Sequence, residues 1–418
     1  MIYNLIVFLL VPFAVTKFII RSIKEPDYAK NILERFGFYF KNEPKYDSIW
    51  IHAVSVGETY ASENLIKYLL KTKPDLPITF TTSTPSGRKI ARKLFANTIT
   101  VVYFPLDISF AIDRFIDKFK PSKAIMMETE IWPNLILKLK KKKIPIYLIN
   151  ARLSKKSARN YASWYKLIGP SIKKIDLIIA QTRNDAKRLR FLSKKIISVA
   201  GSMKFDRDIK NSDKALGDKI REKIGHSCTI FLAASTGSGE EKYLIPTILS
   251  LREFKNSATI IAPRHPKRLQ EIVRLLEKHS ISCQTLSSVD NLTKKYEVFI
   301  EDELGKLYAS YWASDIAFVG GSLVPLGGQN FFEAFAAKTP VIIGKHTFNF
   351  EELANQAEKY GAICRVNNDC DLKDYVINLL RSRKTRDRMI QLGTNFLEKK
   401  RGATKKTLEV LGLLSKKA

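Results

Sequence analysis

The sequence is short of acid. Its 418 residues carry 41 Asp+Glu against 71 Lys+Arg, a formal net charge of +30. An excess of that size favours anionic partners: nucleic acid, an acidic lipid surface or charged substrates. It fits Lys-rich solvated faces equally well. No aromatic-basic repeat of a nucleic-acid module appears, so nucleic acid is not an expected partner. Cysteine is sparse too. Cys228, Cys283, Cys364 and Cys370 show no Cys-x-x-Cys spacing. They read as free thiols in a reducing compartment, not as a disulfide frame or a zinc site, and no metal site is expected. No strand leads into Gly-x-Gly-x-x-Gly, which disfavours a dinucleotide dehydrogenase.

Long apolar runs are lacking except at the start. Residues 2–20 form the one membrane candidate, interrupted by Pro12 and Lys17. A spanning helix wants about 20 apolar residues, and the cleanest core here, 5–15, is short. No small-residue cleavage site follows it, against a cleaved signal peptide. Lys17, Arg21, Lys24 and Lys30 come after the run, which by the positive-inside tendency leaves the bulk of the chain cytoplasmic. Residues 1–22 are therefore expected to be a membrane anchor, either spanning or interfacial, in preference to a buried core helix. Residues 28–40 are aromatic and basic around Glu34-Arg35-Phe36-Gly37 and could lie on a membrane surface.

From Asp47 onward strand and helix patterns alternate. Strands are expected over 48–54, 78–82, 99–104, 124–127, 144–150 and 177–181, with helices over 58–70, 86–95, 109–119, 133–142, 158–168 and 185–192. A charged, strand-poor stretch, 206–223, reads as a passage between domains. A second series follows: strands over 229–234, 258–262, 297–300, 315–319, 341–343 and 362–366, and helices over 240–251, 266–279, 304–313, 330–337, 350–359 and 372–380. The tail from Arg381 is basic and helical. This rhythm argues for βαβ units and parallel sheets. The expected fold is α/β of the GT-B type: two Rossmann-like doubly wound domains, 23–206 and 207–418, facing a cleft. Ligands in such sheets sit at the carboxyl ends of the strands.

The chain reads as organised around residues 320–334, Gly-Gly-Ser-Leu-Val-Pro-Leu-Gly-Gly-Gln-Asn-Phe-Phe-Glu-Ala. Glycines let a ligand approach the main chain, and N–H groups at a helix start attract phosphate. Asn330 and Glu333, three apart, share one face of a first helical turn, where a glutamate can accept from a ribose diol. The plain alternative is a Gly-rich turn with a capping Glu. Ser55-Val56-Gly57-Glu58 offers a carboxylate at a strand end that could act as a general base. The commoner reading of such a residue is a first-turn Glu favoured by the helix dipole, which would lower its basicity. Thr81-Thr82-Ser83-Thr84-Pro85-Ser86-Gly87 reads as a helix cap with Pro in the first turn, or as a sugar-binding loop. Glu128-Thr129-Glu130-Ile131-Trp132-Pro133-Asn134 sets two carboxylates at a strand end, expensive to bury unpaired, and points to function.

Lys204, in Gly201-Ser202-Met203-Lys204-Phe205-Asp206, could neutralise a phosphate, though surface lysines abound. Asp206-Arg207-Asp208 and Asp369-Cys370-Asp371 both spell Asp-x-Asp and read as chance. Ala234-Ser235-Thr236-Gly237-Ser238-Gly239-Glu240 joins strand to helix with a backbone that could cradle a phosphate, without the Lys-Ser/Thr ending of a P-loop. In Ala262-Pro263-Arg264-His265-Pro266, Arg264 could pair with a phosphate or carboxylate, and His265 reads as structural.

In this order, the motifs resemble the 3-deoxy-D-manno-octulosonic acid (Kdo) transferases of lipopolysaccharide synthesis. His52–Glu58, Glu128–Asn134, Asn150-Ala151-Arg152-Leu153-Ser154, Gly201–Asp206, Pro263–Pro266, Gly320–Glu333 and His346-Thr347-Phe348-Asn349-Phe350 carry the likeness, which covers nearly the whole chain. The resemblance implies a membrane-associated enzyme at the cytoplasmic face of the inner membrane, using CMP-Kdo and a lipid A precursor, with no cofactor. It implies that Glu58 is the catalytic base, supported by Glu128 and Lys204. It implies a CMP site from Pro263, Arg264, the Leu304-Gly305-Lys306 turn, and Asn330, Phe331, Phe332 and Glu333. Where the family pattern has Met-Gly-Glu, this chain has Leu304-Gly305-Lys306, so main-chain contacts survive there and an acidic side-chain contact does not. Two rivals stand beside this reading: a membrane-associated GT-B transferase using a UDP-sugar, and a basic polyanion-binding scaffold.

Overall fold

The computed structural model describes residues 2–40, 46–254, 256–293 and 295–414. The chain forms two compact units, Met1–Arg207 with Lys400–Ala418, and Asp208–Lys399.

The first unit holds a seven-stranded parallel sheet: β1 (Ser48–His52), β2 (Ile78–Thr82), β3 (Thr100–Tyr103), β4 (Pro121–Met127), β5 (Ile146–Ala151), β6 (Leu177–Ala180) and β7 (Ser198–Val199), in the order β3-β2-β1-β4-β5-β6-β7. Helices cover both faces, so the central strands read as apolar runs and not as alternating ones. Trp50, Phe115 and Phe119 pack on one side and Ile49, Ile51, Phe80 and Leu65 on the other, all buried. Burying each such side chain is worth about 1.5–3 kcal/mol over leaving it exposed. Strand order reverses between β1 and β4; Glu58, in the first turn of the helix after β1, and Glu128, directly after β4, follow those two strands.

The second unit repeats the plan with β8 (Thr229–Thr236), β9 (Ser257–Pro263), β10 (Cys283–Thr285), β11 (Val298–Ile300), β12 (Ile316–Val319), β13 (Val341–Gly344) and β14 (Ile363–Val366), in the order β10-β11-β9-β8-β12-β13-β14. All pairs are parallel. Here the order reverses between β8 and β12.

Several expectations are corrected. The passage over 206–223 contains a helix, Asn211–Ile224, that belongs to the second unit. Its apolar side packs on helix Leu307–Ala313, held by Arg221 bidentate to Asp315 at 2.7 and 3.0 Å. Gly217 allows the approach, because a Cβ there would come within 2.8 Å of the Ala309 carbonyl oxygen. The expected single boundary at 206/207 does not describe the tail. The last helix, Ala403–Val410, returns to the first unit and buries Ala403, Leu408 and the following Leu413 beside Leu65 and Met203. Asp206 caps it, accepting from the Gly402 and Thr404 N–H groups at 2.7 and 2.5 Å. The short edge strands β7 and β10 were not expected.

Residues 28–40 belong to the first unit and are buried only in part: Tyr28 and Tyr39 are buried, while Leu33 and Phe40 are exposed. Glu34 and Arg35 are buried; Glu34 pairs with Arg88 at 2.7 Å and accepts from the Tyr103 N–H. Helix Ile2–Lys24 has a window, Ile6–Ile23, long and apolar enough to cross a membrane by length and composition. Tyr3, Val7, Val11, Val15, Phe18 and Ser22 form a half-buried stripe along it. Tyr3 donates to Asp107 at 2.6 Å, and the Arg35 guanidinium lies 4.5 Å from the Phe18 ring centroid. Phe8, Leu9, Phe13, Ile20 and Ile23 on other sides are exposed.

Candidate functional site

Helix Val56–Ala61 starts in a variant of the capping box, in which Glu58 reaches back to the residue before the N-cap. Ser55 is the N-cap, and its hydroxyl accepts from the Glu58 N–H and donates to Glu58 Oε1 at 3.0 Å. Glu58 Oε2 accepts from the Val54 N–H at 2.8 Å. Thr82 and Thr84 hydroxyls both donate to the Val54 carbonyl, at 3.1 and 3.3 Å, so the hydroxyl-rich loop holds the Glu58 turn. Thr84 also caps helix Pro85–Phe95, as the helix-cap reading requires.

Glu58 is thus a cap, yet its basicity is not lowered. Burial first, then the charge of Glu128, and then that of Glu130, push its carboxyl from 4.5 up to about 7; the Val54 N–H and Ser55 oppose the rise without cancelling it. The helix dipole loses to desolvation here.

Glu128 directly follows β4 and has a left-handed backbone, φ 56°. Its Oε1 meets Lys204 Nζ at 2.6 Å. Lys204 is set by Asn150, whose Oδ1 accepts from the Met203 N–H at 3.0 Å. Glu130 accepts from Trp132 Nε1 at 2.7 Å and lies 3.6 Å from His52 Nε2. The His52 ring is fully buried, stacked on Phe104, with Nδ1 against the carbonyl and hydroxyl of Thr81. Among the described residues, Lys204 thus pairs with Glu128, and the His52 ring stands beside Glu130.

The second unit carries its expected site residues at strand ends. Pro263 closes β9, and the exposed Arg264 follows with its N–H on the Thr236 carbonyl at 3.0 Å. After β11, Leu304 is exposed, Gly305 has φ 91°, and Lys306 pairs with Glu303 at 2.6 Å. Glu301 lies beneath that turn. Burial raises its carboxyl to about 7, while the Glu303 N–H, Lys306 and Ser310 pull the other way. Asn330 Nδ2 donates to Glu333 Oε1 at 3.4 Å, and its Oδ1 accepts from the Phe332 N–H at 3.2 Å. The helix that follows, Phe332–Ala336, is shorter than expected. Phe331 and Phe332 are buried in an aromatic cluster with Phe335 and Phe396. Their rings are core, which leaves only their main chain for a ligand.

The two Gly-rich loops expected to cradle a phosphate instead cradle Glu240. Its carboxylate takes four backbone N–H groups, from Gly237, Gly321, Ser322 and Leu323. The acid pair Glu240-Glu241 directly after a glycine turn was the signal for this. Asp206 is spent on a helix cap, and Asp371 accepts from the Asn367 N–H, so one acid of each Asp-x-Asp pattern serves the fold. The four cysteines are free.

A 3-deoxy-D-manno-octulosonic acid transferase of Haemophilus influenzae is 36% identical over 93% of this chain and 92% of that relative. The chain belongs to the Kdo transferase family. It is a glycosyltransferase. The profile described as 3-deoxy-D-manno-octulosonic-acid transferase matches residues 30–207, and that of glycosyl transferases group 1 matches 284–396. A Kdo transferase of Bordetella pertussis is 32% identical over 87% of this chain and 86% of its own length. Among solved structures, a UDP-GlcNAc 2-epimerase from Neisseria meningitidis superposes with a TM-score of 0.60 at 14% identity, covering 87% of this chain and 99% of that one. That likeness is one of fold, and the fold is GT-B.

Proposed function

We propose that this chain moves a Kdo residue from CMP-Kdo to a lipid A precursor in lipopolysaccharide synthesis, inverting the anomeric configuration without a metal ion. The observation that carries the reading is Glu58. It is a carboxyl whose pKa lies near 7, at the end of β1 beside the sheet's switch point, with the Glu128–Lys204 pair close by. A general base works best with its pKa near the operating pH. Glu58 takes the proton of an acceptor sugar hydroxyl. The hydroxyl oxygen bonds to the anomeric carbon, and the bond from that carbon to the phosphate oxygen breaks. CMP leaves from the opposite face with the electron pair. Glu128 and Lys204 support the charge that develops.

We assign the donor's nucleotide to the second unit: Pro263 and Arg264, the main chain of Leu304, Gly305 and Lys306, and Asn330 to Glu333 with the main chain of Phe331 and Phe332. CMP carries a single phosphate, which Arg264 can pair with directly. Helix Ile2–Lys24 lies along the first unit, pinned near its start by Tyr3 and near its end by Phe18. We infer that it is interfacial, with its exposed apolar side in one leaflet and Lys17 and Arg21 among anionic headgroups of the inner membrane's cytoplasmic face. The reading is tested by mass spectrometry of a lipid A precursor incubated with the protein and CMP-Kdo. Mass added in Kdo units, with CMP released, supports it. Transfer from a UDP-sugar in its place sinks it.

A further inference from the structure

Glu240 is completely buried. Its Oε2 accepts from the N–H groups of Gly237 at 2.8 Å and Gly321 at 2.5 Å, and its Oε1 from those of Ser322 and Leu323, both at 2.9 Å. Three consecutive amides aimed at one anion make a backbone nest of the kind that elsewhere binds phosphate. Gly237 follows β8 and the nest follows β12, the two strands between which the order of the second sheet reverses. Ligands of open α/β sheets bind at that point. Here the protein supplies the anion itself.

The fit is tight. A Cβ on Gly320 would stand 2.7 Å from Glu240 Oε2 and 2.7 Å from Thr236 Cα. From the nest, hydrogen bonds continue outward. The Gly321 carbonyl accepts from the Gly328 N–H at 2.7 Å, and that of Ser322 from the His346 N–H at 2.8 Å. The Ser322 hydroxyl accepts from the Gly344 N–H at 2.8 Å. The segment so fixed runs directly into Asn330 and Glu333. The neighbouring acid does the same for the other side. Glu241 takes Arg268 bidentately at 2.8 and 2.7 Å and the Thr236 hydroxyl at 2.6 Å, and the Thr236 carbonyl holds the Arg264 N–H.

We propose that Glu240 is a positioning residue for the donor nucleotide: an internal anion that fills a phosphate-type nest and thereby fixes the loop leading to Asn330 and Glu333. This rests on assigning the nucleotide to the second unit. It follows that the nest's amides are spent, so the donor's phosphate is met elsewhere, and a further phosphate reaching this loop would confront a fixed carboxylate.

The test titrates CMP into the full chain by calorimetry, for wild type, Glu240→Gln, Glu240→Ala and Arg264→Ala, each with and without formate. Truncation strands four buried donors, and CMP binding by Glu240→Ala is expected to weaken about tenfold or more. Formate, which returns an anion to the nest, restores it. Glu240→Gln keeps one accepting oxygen and loses less. Thermal melts report folding, and if Glu240→Ala does not fold, Glu240→Gln carries the comparison. Without formate, a folded Glu240→Ala protein that binds CMP within about twofold of wild type overturns the proposal, and so does Glu240→Gln where Glu240→Ala does not fold. If Arg264→Ala still weakens binding in that case, the nucleotide assignment survives. If it does not, both fall.

Discussion

Lys204 Nζ lies 2.6 Å from Glu128 Oε1, joining the turn after β4 to the turn that ends the first unit's sheet, 76 positions later. The pair is partly exposed, so its worth to stability is small. The charge of Glu128 is one of the causes that raise Glu58, so a cation paired with Glu128 is expected to offset part of that charge. Lys204→Ala is expected to push the Glu58 carboxyl further up and to remove a cation from the site. Transfer at pH 7 should fall on the order of 100-fold or more, and the pH of half-maximal rate should move upward. A pH series of initial rates checks both.

Glu58 also links pH to stability. Its folded pKa is raised, from 4.5 to about 7. The stability this proton brings is fully present below about pH 4.5 and is lost as pH rises to about 7, a loss of about 3 kcal/mol. Gln can serve at the same capping position. Glu58→Gln should therefore remove this pH dependence and make the protein more stable than wild type above pH 7. Urea midpoints at pH 5 and pH 8 measure the difference.

Asn150 has a left-handed backbone, φ 49°, and its buried side chain holds the Met203 N–H. Asn tolerates that conformation where most residues do not. Asn150→Ala should cost about 1–3 kcal/mol through the stranded N–H and loosen Lys204, so kcat should fall more than KM rises. Denaturant titration and steady-state kinetics test the two parts separately.

The apolar outer face of helix Ile2–Lys24 predicts two separable kinds of membrane binding. Replacing Lys17 and Arg21 by Gln should weaken association with anionic vesicles by about 1 kcal/mol per charge, and less in high salt. Replacing Phe8, Phe13 and Ile20 by Ser should release the protein from neutral and anionic vesicles alike. Vesicle co-sedimentation across a salt series distinguishes them.

Most of the fold was legible because parallel strands buried on both faces leave continuous apolar runs, such as Ile316–Val319. The edge strands Ser198–Val199 and Cys283–Thr285 are too short and too polar to leave one. Helix Asn211–Ile224 was missed because its buried side is only Gly217, Ile220 and Ile224, hidden among charges. The return of the tail to the first unit rests on Asp206 capping a helix about 200 residues later, a pairing no local pattern reveals. At the site, residue types at strand ends were readable, but their electrostatic balance was not. Glu58 looked like a dipole-stabilised acid, and only its burial beside Glu128 reverses that. The glycines after β12 looked like a phosphate cradle, and only the folded chain brings Glu240 into it.

The most direct test is the rate of Kdo transfer from CMP-Kdo against pH for wild type and Glu58→Gln, with folding checked on the same samples. Wild type should rise through a half-maximal point near pH 7 and level off above it. Folded Glu58→Gln should lose on the order of 1,000-fold and show no such rise. A folded Glu58→Gln protein that keeps the wild-type rate and pH dependence would contradict the account.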